Sequence, residues 1–63
     1  MTYVLATTER VLRWYVITAT TPPEFQLLDR LDVDVVTQFH DKKAAGEGAA
    51  LIGLKTWRYV RLP

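Results

Sequence analysis

The 63-residue chain contains no cysteine, no serine and a single histidine. Without cysteine it forms neither disulfides nor thiolate metal sites, so its core or a partner subunit must stabilise the fold. The missing residue types also exclude the common nucleophilic sites of hydrolases, and so short a chain hardly encloses a substrate pocket. We therefore expect a protein that is not an enzyme, in a reducing, cytoplasmic environment.

Long apolar runs and a strong excess of one charge are absent as well. The formal net charge is +1, too small to indicate general nucleic-acid binding. No apolar run approaches the roughly 20 residues that cross a bilayer, and the N terminus lacks the pattern of a signal peptide. We expect no membrane insertion and no export, and we expect the reading frame that opens at Met1 to be complete.

The composition is that of a chain that folds. Hydrophobic residues make up 49% of it, enough apolar surface to offset the entropy lost on ordering. The length is that of one small domain, residues 1–63, near the lower limit for autonomous folding. We expect modest stability.

Residues 2–6 and 11–20 are rich in Val, Ile, Tyr, Trp and Thr, which favour β-strands. The polar residues 7–10 between them predict an antiparallel hairpin. In the second strand, alternation places Arg13, Tyr15 and Ile17 on one face. The opposite face is our predicted core face, and its residues are Leu12, Trp14, Val16 and Thr18.

A helix start is indicated at Thr21, which can cap a helix whose first residue is Pro22 and whose capping-box partner is Glu24. An apolar stripe at helical spacing follows and predicts about three turns packed on the sheet. The stripe consists of Phe25, Leu27, Leu28 and Leu31.

Residues 32–39 alternate between apolar and polar side chains, which predicts a third strand. Asp41 then favours an N-cap, and small and aliphatic residues at helical spacing predict a second helix over residues 42–54. Three glycines weaken this helix by up to about 1 kcal/mol each, and the alternative is a Gly-Glu-Gly turn between two strands. The glycines are Gly46, Gly48 and Gly53.

Residues 56–62 predict a closing strand. The resulting fold class is α+β: a small single domain of order β-β-α-β-α-β, with a mainly antiparallel sheet and one or two short helices packed on one face.

Two clusters could suggest chemistry. His40 lies near Asp32, Asp34 and Asp41, but one histidine with carboxylates at this spacing matches no metal-ligand pattern, so we interpret them as turn, capping and surface residues. The glycines around Glu47 lack the spacing of a phosphate loop, and small residues there favour close helix–sheet packing. We predict no metal and no cofactor.

Aromatic and basic residues concentrate on the second and last strands. If they share one sheet face, they form an aromatic platform with cationic edges, which can anchor a protein or stack single-stranded bases. For Trp14 and Trp57 the sequence favours a place in the core over a place on the surface, whereas Tyr15 and Tyr59 are better surface candidates. The predicted binding residues are Arg13, Tyr15, Trp57, Arg58, Tyr59 and Arg61.

These observations favour a small regulatory protein that acts through protein–protein contacts on a sheet face or edge, with a protein partner or as a homodimer or other homo-oligomer. The alternative hypothesis is a single-stranded nucleic-acid-binding protein that uses the same Tyr, Trp and Arg residues. We do not expect a membrane partner.

Overall fold

Four strands and one helix are present in the computed structural model of the protein, which describes residues 2–18 and 20–63. The elements follow one another as β1 (Thr2–Ala6), β2 (Trp14–Thr18), β3 (Glu24–Leu28), α1 (Lys42–Leu51) and β4 (Arg58–Leu62). The order is therefore β-β-β-α-β within the described residues. The α+β class is confirmed, whereas the predicted β-β-α-β-α-β order is wrong.

The strands form one antiparallel sheet in the order β3-β2-β1-β4. The predicted hairpin of the first two strands is confirmed, although β2 is shorter than the predicted segment 11–20 and Val11 is 77% exposed. β1 lies inside the sheet, and β3 and β4 lie at its two edges.

The first predicted helix is wrong, because the residues assigned to it form the edge strand β3. Five consecutive residues of β3 pair with β2, from Trp14 opposite Leu28 to Thr18 opposite Glu24. The Thr21–Pro22 peptide bond is cis and lies in the loop before β3. Pairing with β2 satisfies backbone groups that a helix would satisfy internally, so sheet contacts override the local capping pattern.

The predicted third strand over residues 32–39 is also wrong. The Asp32 side chain accepts a hydrogen bond from the Asp34 amide, and the Asp32 carbonyl accepts bonds from the amides of Val35 and Val36. Aspartate favours such local bonds, which here close a turn in a segment whose side-chain pattern alternates. Phe39 alone forms a β-bridge, opposite Tyr3.

The end of this segment lies between β1 and β2. Tyr3 and Phe39 exchange two backbone hydrogen bonds of 2.8 Å, while the Ile17 amide donates to Thr37 Oγ1 at 2.7 Å. β1 and β2 pair at Ala6 and Trp14, beside the loop that connects them. Residues 37–39 thus provide hydrogen-bond partners for β1 and β2 at the ends of these strands that lie away from their connecting loop.

Helix α1 confirms the second predicted helix, although it ends at Leu51 and not at residue 54, and the alternative of a turn between two strands is wrong. Asp41 is its N-cap, with Oδ1 accepting from the Ala44 amide at 2.7 Å. The glycines permit close packing: a Cβ at Gly48 would lie 2.7 Å from the Phe39 ring, and one at Gly46 would lie 2.9 Å from the Tyr59 hydroxyl. Nowhere in residues 2–18 and 20–63 does a helix have the length and apolarity needed to cross a membrane.

The helix covers one side of the sheet, which we call the helix face. Its core is formed by Leu5, Tyr15, Ala45 and Ala49, against which Ile17 and other half-buried side chains pack. The opposite side, which we call the second face, carries Trp14, Val16 and Thr18. Our predicted core face of the second strand is therefore inverted, because both sides of that strand are apolar and only the position of α1 distinguishes them.

Candidate functional site

Strand alternation divides the predicted binding residues between the two sheet faces. Tyr59 lies opposite Leu5 and therefore belongs to the helix face, together with Arg61, which lies opposite Tyr3. Arg58 lies opposite Ala6 and points to the second face by the same alternation. The predicted set therefore does not form one continuous exposed platform.

Tyr15 belongs to the core. It is 7% exposed and forms part of the core beneath α1, so the prediction that it lies at the surface is wrong. Its ring packs against that of Phe25 on β3 at a centroid distance of 5.4 Å. A base or a partner side chain could not stack on Tyr15 without displacing these neighbours.

Arg13 is partly exposed and is held by Glu9. Its Nε and Nη2 atoms donate to the same carboxylate oxygen, Glu9 Oε1, at 2.9 and 2.7 Å. The hydrogen bond and the charge of Glu9 raise the pKa of Arg13 above its usual value. Its guanidinium is thus oriented by the hairpin connection, and its amide donates to Thr7 Oγ1.

Trp57 and Tyr59 form an edge-to-face pair with ring centroids 6.1 Å apart. Lys42 Nζ lies 5.0 Å from the centroid of the Tyr59 ring, a cation–π contact from the first turn of α1. Trp57 packs against the core, and its Nε1 is buried without a hydrogen-bond partner. The pair borders a shallow cleft of about 400 Å³, whose lining residues are Thr8, Lys55, Thr56, Trp57 and Tyr59.

β4 combines an edge position with positive charge. In the described sheet its strand neighbour is β1, and no strand pairs with its outer edge. Arg58 and Arg61 are exposed, Lys55 precedes them, and no carboxylate side chain follows Glu47 in the sequence. The basic character of β4 could be read from the sequence, but its position at an edge could not, because strand order depends on contacts distant in sequence.

The residues around His40 have structural roles. Asp41 caps α1 and its Oδ2 lies 3.1 Å from His40 Nε2, while Asp32 organises a turn, so the interpretation as turn and capping residues is confirmed for both aspartates. The part of the chain that the structure describes contains no group of three or more His, Cys, Asp or Glu side chains arranged to hold a metal ion.

The fold and the site define a small α+β domain with a basic, aromatic-bearing strand at one edge of its sheet. No family model, curated protein or solved structure matches this chain. The contacts, burial and charge of β4 and its neighbours are therefore the observations that bear on function.

Proposed function

We propose that this chain is a non-enzymatic binding protein that contacts protein partners through β4 and the residues beside it. The position of β4 at a sheet edge supports this proposal most strongly. An edge strand presents unpaired backbone donors and acceptors, to which a partner strand can add. Arg58, Tyr59 and Arg61 supply the side-chain types that are enriched at the centres of protein interfaces.

The side-chain arrangement favours a protein partner over a single-stranded nucleic acid. A row of stacking residues needs accessible ring faces. Tyr15 is buried, and the ring of Tyr59 already contacts Lys42 and forms a T-shaped pair with Trp57. What remains accessible is a mixed strip of two arginines and half-buried apolar side chains, which is typical of a small protein interface.

A charge reversal on β4 tests the proposal. Arg58→Glu alters an exposed side chain of the edge strand, and Arg10→Glu makes the same change at an exposed position in the hairpin connection. Partners captured by cross-linking after nuclease treatment should be lost with Arg58→Glu and retained with Arg10→Glu. Equal capture by both variants would contradict binding through β4.

The second candidate function, single-stranded nucleic-acid binding, is favoured by one observation: Lys55 and Trp57 line the same cleft. A Trp14→Phe variant leaves Trp57 as the one tryptophan reporter. Binding of an oligonucleotide in that cleft should quench its fluorescence at low salt, and the effect should weaken steeply as salt rises. A flat titration, which we expect, removes this candidate.

A further inference from the structure

We infer that the partner strand of β4 is β3 of a second copy of this chain. The inference rests on the proposed function and deepens it by naming the partner. β3 and β4 are the two edges of the sheet, and each is five residues long. With Tyr59 opposite Phe25 of the second copy, residues 58–60 of β4 face residues 24–26 of β3.

The strand directions permit a continuous sheet. Every neighbouring pair from β3 to β4 is antiparallel, so β3 and β4 run in opposite directions. A second copy placed with its β3 beside β4 therefore continues the antiparallel pattern and keeps both helices on the same side. Residues opposite each other across the new pair then come from equivalent faces, as they do within the sheet.

The charges of the two edges differ in sign. β4 carries Arg58 and Arg61, whereas the one charged residue of β3 is Glu24, which is exposed. Beyond β3, the negative charge of Asp29 is followed by the positive charge of Arg30. Pairing β4 with another β4 would bring arginines of both copies together, and pairing β3 with another β3 would bring two Glu24 side chains into one interface. Like charges across an interface are costly, so β4 beside β3 is the favoured combination.

One register also brings apolar surface together. With Tyr59 opposite Phe25 of the second copy, two helix-face aromatic side chains meet, and Phe25 is 42% exposed in the described chain. In the same register Glu24 of the second copy lies diagonally from Arg58 on the second face, within reach of long side chains. Exposed aromatic area and charge therefore select the same pairing.

This association is heterologous, because it joins two different surfaces of identical chains. When two copies pair, each retains one unpaired edge to which a further copy can add, so the products are linear oligomers or a closed ring. Three facing residues per strand form a small interface, and such interfaces are weak. The association should therefore depend strongly on protein concentration and weaken with salt.

Two charge reversals test the pairing. Glu24→Lys replaces the negative charge of β3 with a positive one and leaves β4 unchanged. Arg58→Glu replaces a positive charge of β4 with a negative one and leaves β3 unchanged. Sedimentation velocity from about 10 μM to about 1 mM covers the affinities expected of a weak interface. The wild type should associate reversibly, and each variant alone should associate at least about tenfold more weakly, since like charges then face each other.

An equimolar mixture of the two variants should regain association, because it restores an Arg58–Glu24 pair and creates the swapped pair as well. Recovery in the mixture also shows that each variant is folded. Glu47→Lys on α1 and Arg10→Glu in the hairpin connection are exposed controls of matched charge change, and both should behave as the wild type.

Three outcomes would overturn the inference: a wild type that stays monomeric throughout, a Glu24→Lys variant that associates as the wild type does, or a mixture that does not recover. If one of them occurs while capture of another protein still depends on Arg58, the proposed function stands and only the identity of the partner is wrong. If capture is also independent of Arg58, both proposals fail.

Discussion

The two faces of the sheet are both apolar but are organised differently. On the helix face, Leu5 is fully buried against Ala45 and Ala49, and two glycines bring α1 close to aromatic rings of the layer below. On the second face, Val4 and Ala6 are fully buried, while Trp14 and Val16 remain half-exposed. Alternation thus identifies two faces, but only the small side chains of the helix determine which one becomes the tightly packed core.

The two faces should differ most in how much unfolding free energy is lost when one of their side chains is truncated. Leu5→Ala leaves a cavity under α1 and should lower the free energy of unfolding by about 3 kcal/mol. Val16→Ala on the half-exposed second face should cost about 1 kcal/mol, since less apolar area is lost from burial. Urea unfolding of both variants measures the difference, and similar losses would show that the second face is packed as tightly as the helix face.

The two helix glycines provide a finer comparison within the helix face. In Gly48→Ala the new methyl group meets the packed Phe39 ring at 2.7 Å, so the expected loss is about 1–2 kcal/mol despite better helix propensity. In Gly46→Ala the methyl group meets only the end of the Tyr59 side chain. The propensity gain of up to about 1 kcal/mol should then offset the contact, leaving stability within about 0.5 kcal/mol of the wild type.

Glu47→Ala, at an exposed position between the two glycines, controls for helix propensity in these measurements. Thermal and urea unfolding should rank Gly48→Ala as the least stable of the three variants. A Gly48→Ala protein more stable than the wild type would mean that the Phe39 ring moves freely away from α1.

Local signals explain which elements the sequence could predict. β1, β2 and β4 are dense in β-branched and aromatic residues, and α1 has an aspartate cap, so the prediction and the structure agree there. The prediction fails over residues 21–39, where two local patterns compete with contacts that are distant in sequence. Pairing with β2 converts a capped apolar stripe into β3, and the hydrogen bonds of Asp32 convert an alternating segment into a turn.

The same reason limits prediction of the site. The sequence indicates that Arg58, Tyr59 and Arg61 belong to one strand, and that strand is present. It cannot indicate that β4 lies at an edge or that Tyr15 is covered, because both follow from strand order and from the position of α1. Edge position and face coverage are properties of the assembled sheet.

The N-cap of α1 should contribute a smaller amount to the free energy of unfolding than the packing of α1 on the helix face. Asp41→Ala removes the acceptor for the Ala44 amide and should cost about 1 kcal/mol of unfolding free energy. Asp41→Asn keeps an oxygen at the same position and should stay within about 0.5 kcal/mol of the wild type. Circular dichroism during urea unfolding distinguishes the two, and equal losses would indicate that the charge, and not the capping bond, stabilises the helix.

The smallest effect is expected at the rim of the helix face, where Glu9 holds Arg13. Both side chains are partly exposed, at 39% and 50%, so solvent screens the pair. Glu9→Gln keeps an acceptor oxygen but removes the charge, and it should change the unfolding free energy by less than about 0.5 kcal/mol. Urea unfolding at low and high salt checks this value, because a screened pair loses its small contribution as ionic strength rises. If Glu9→Gln lowered the unfolding free energy as much as Leu5→Ala does, the Glu9–Arg13 pair would stabilise the protein as strongly as the buried core. Buried packing and surface charge would then contribute equally on this face.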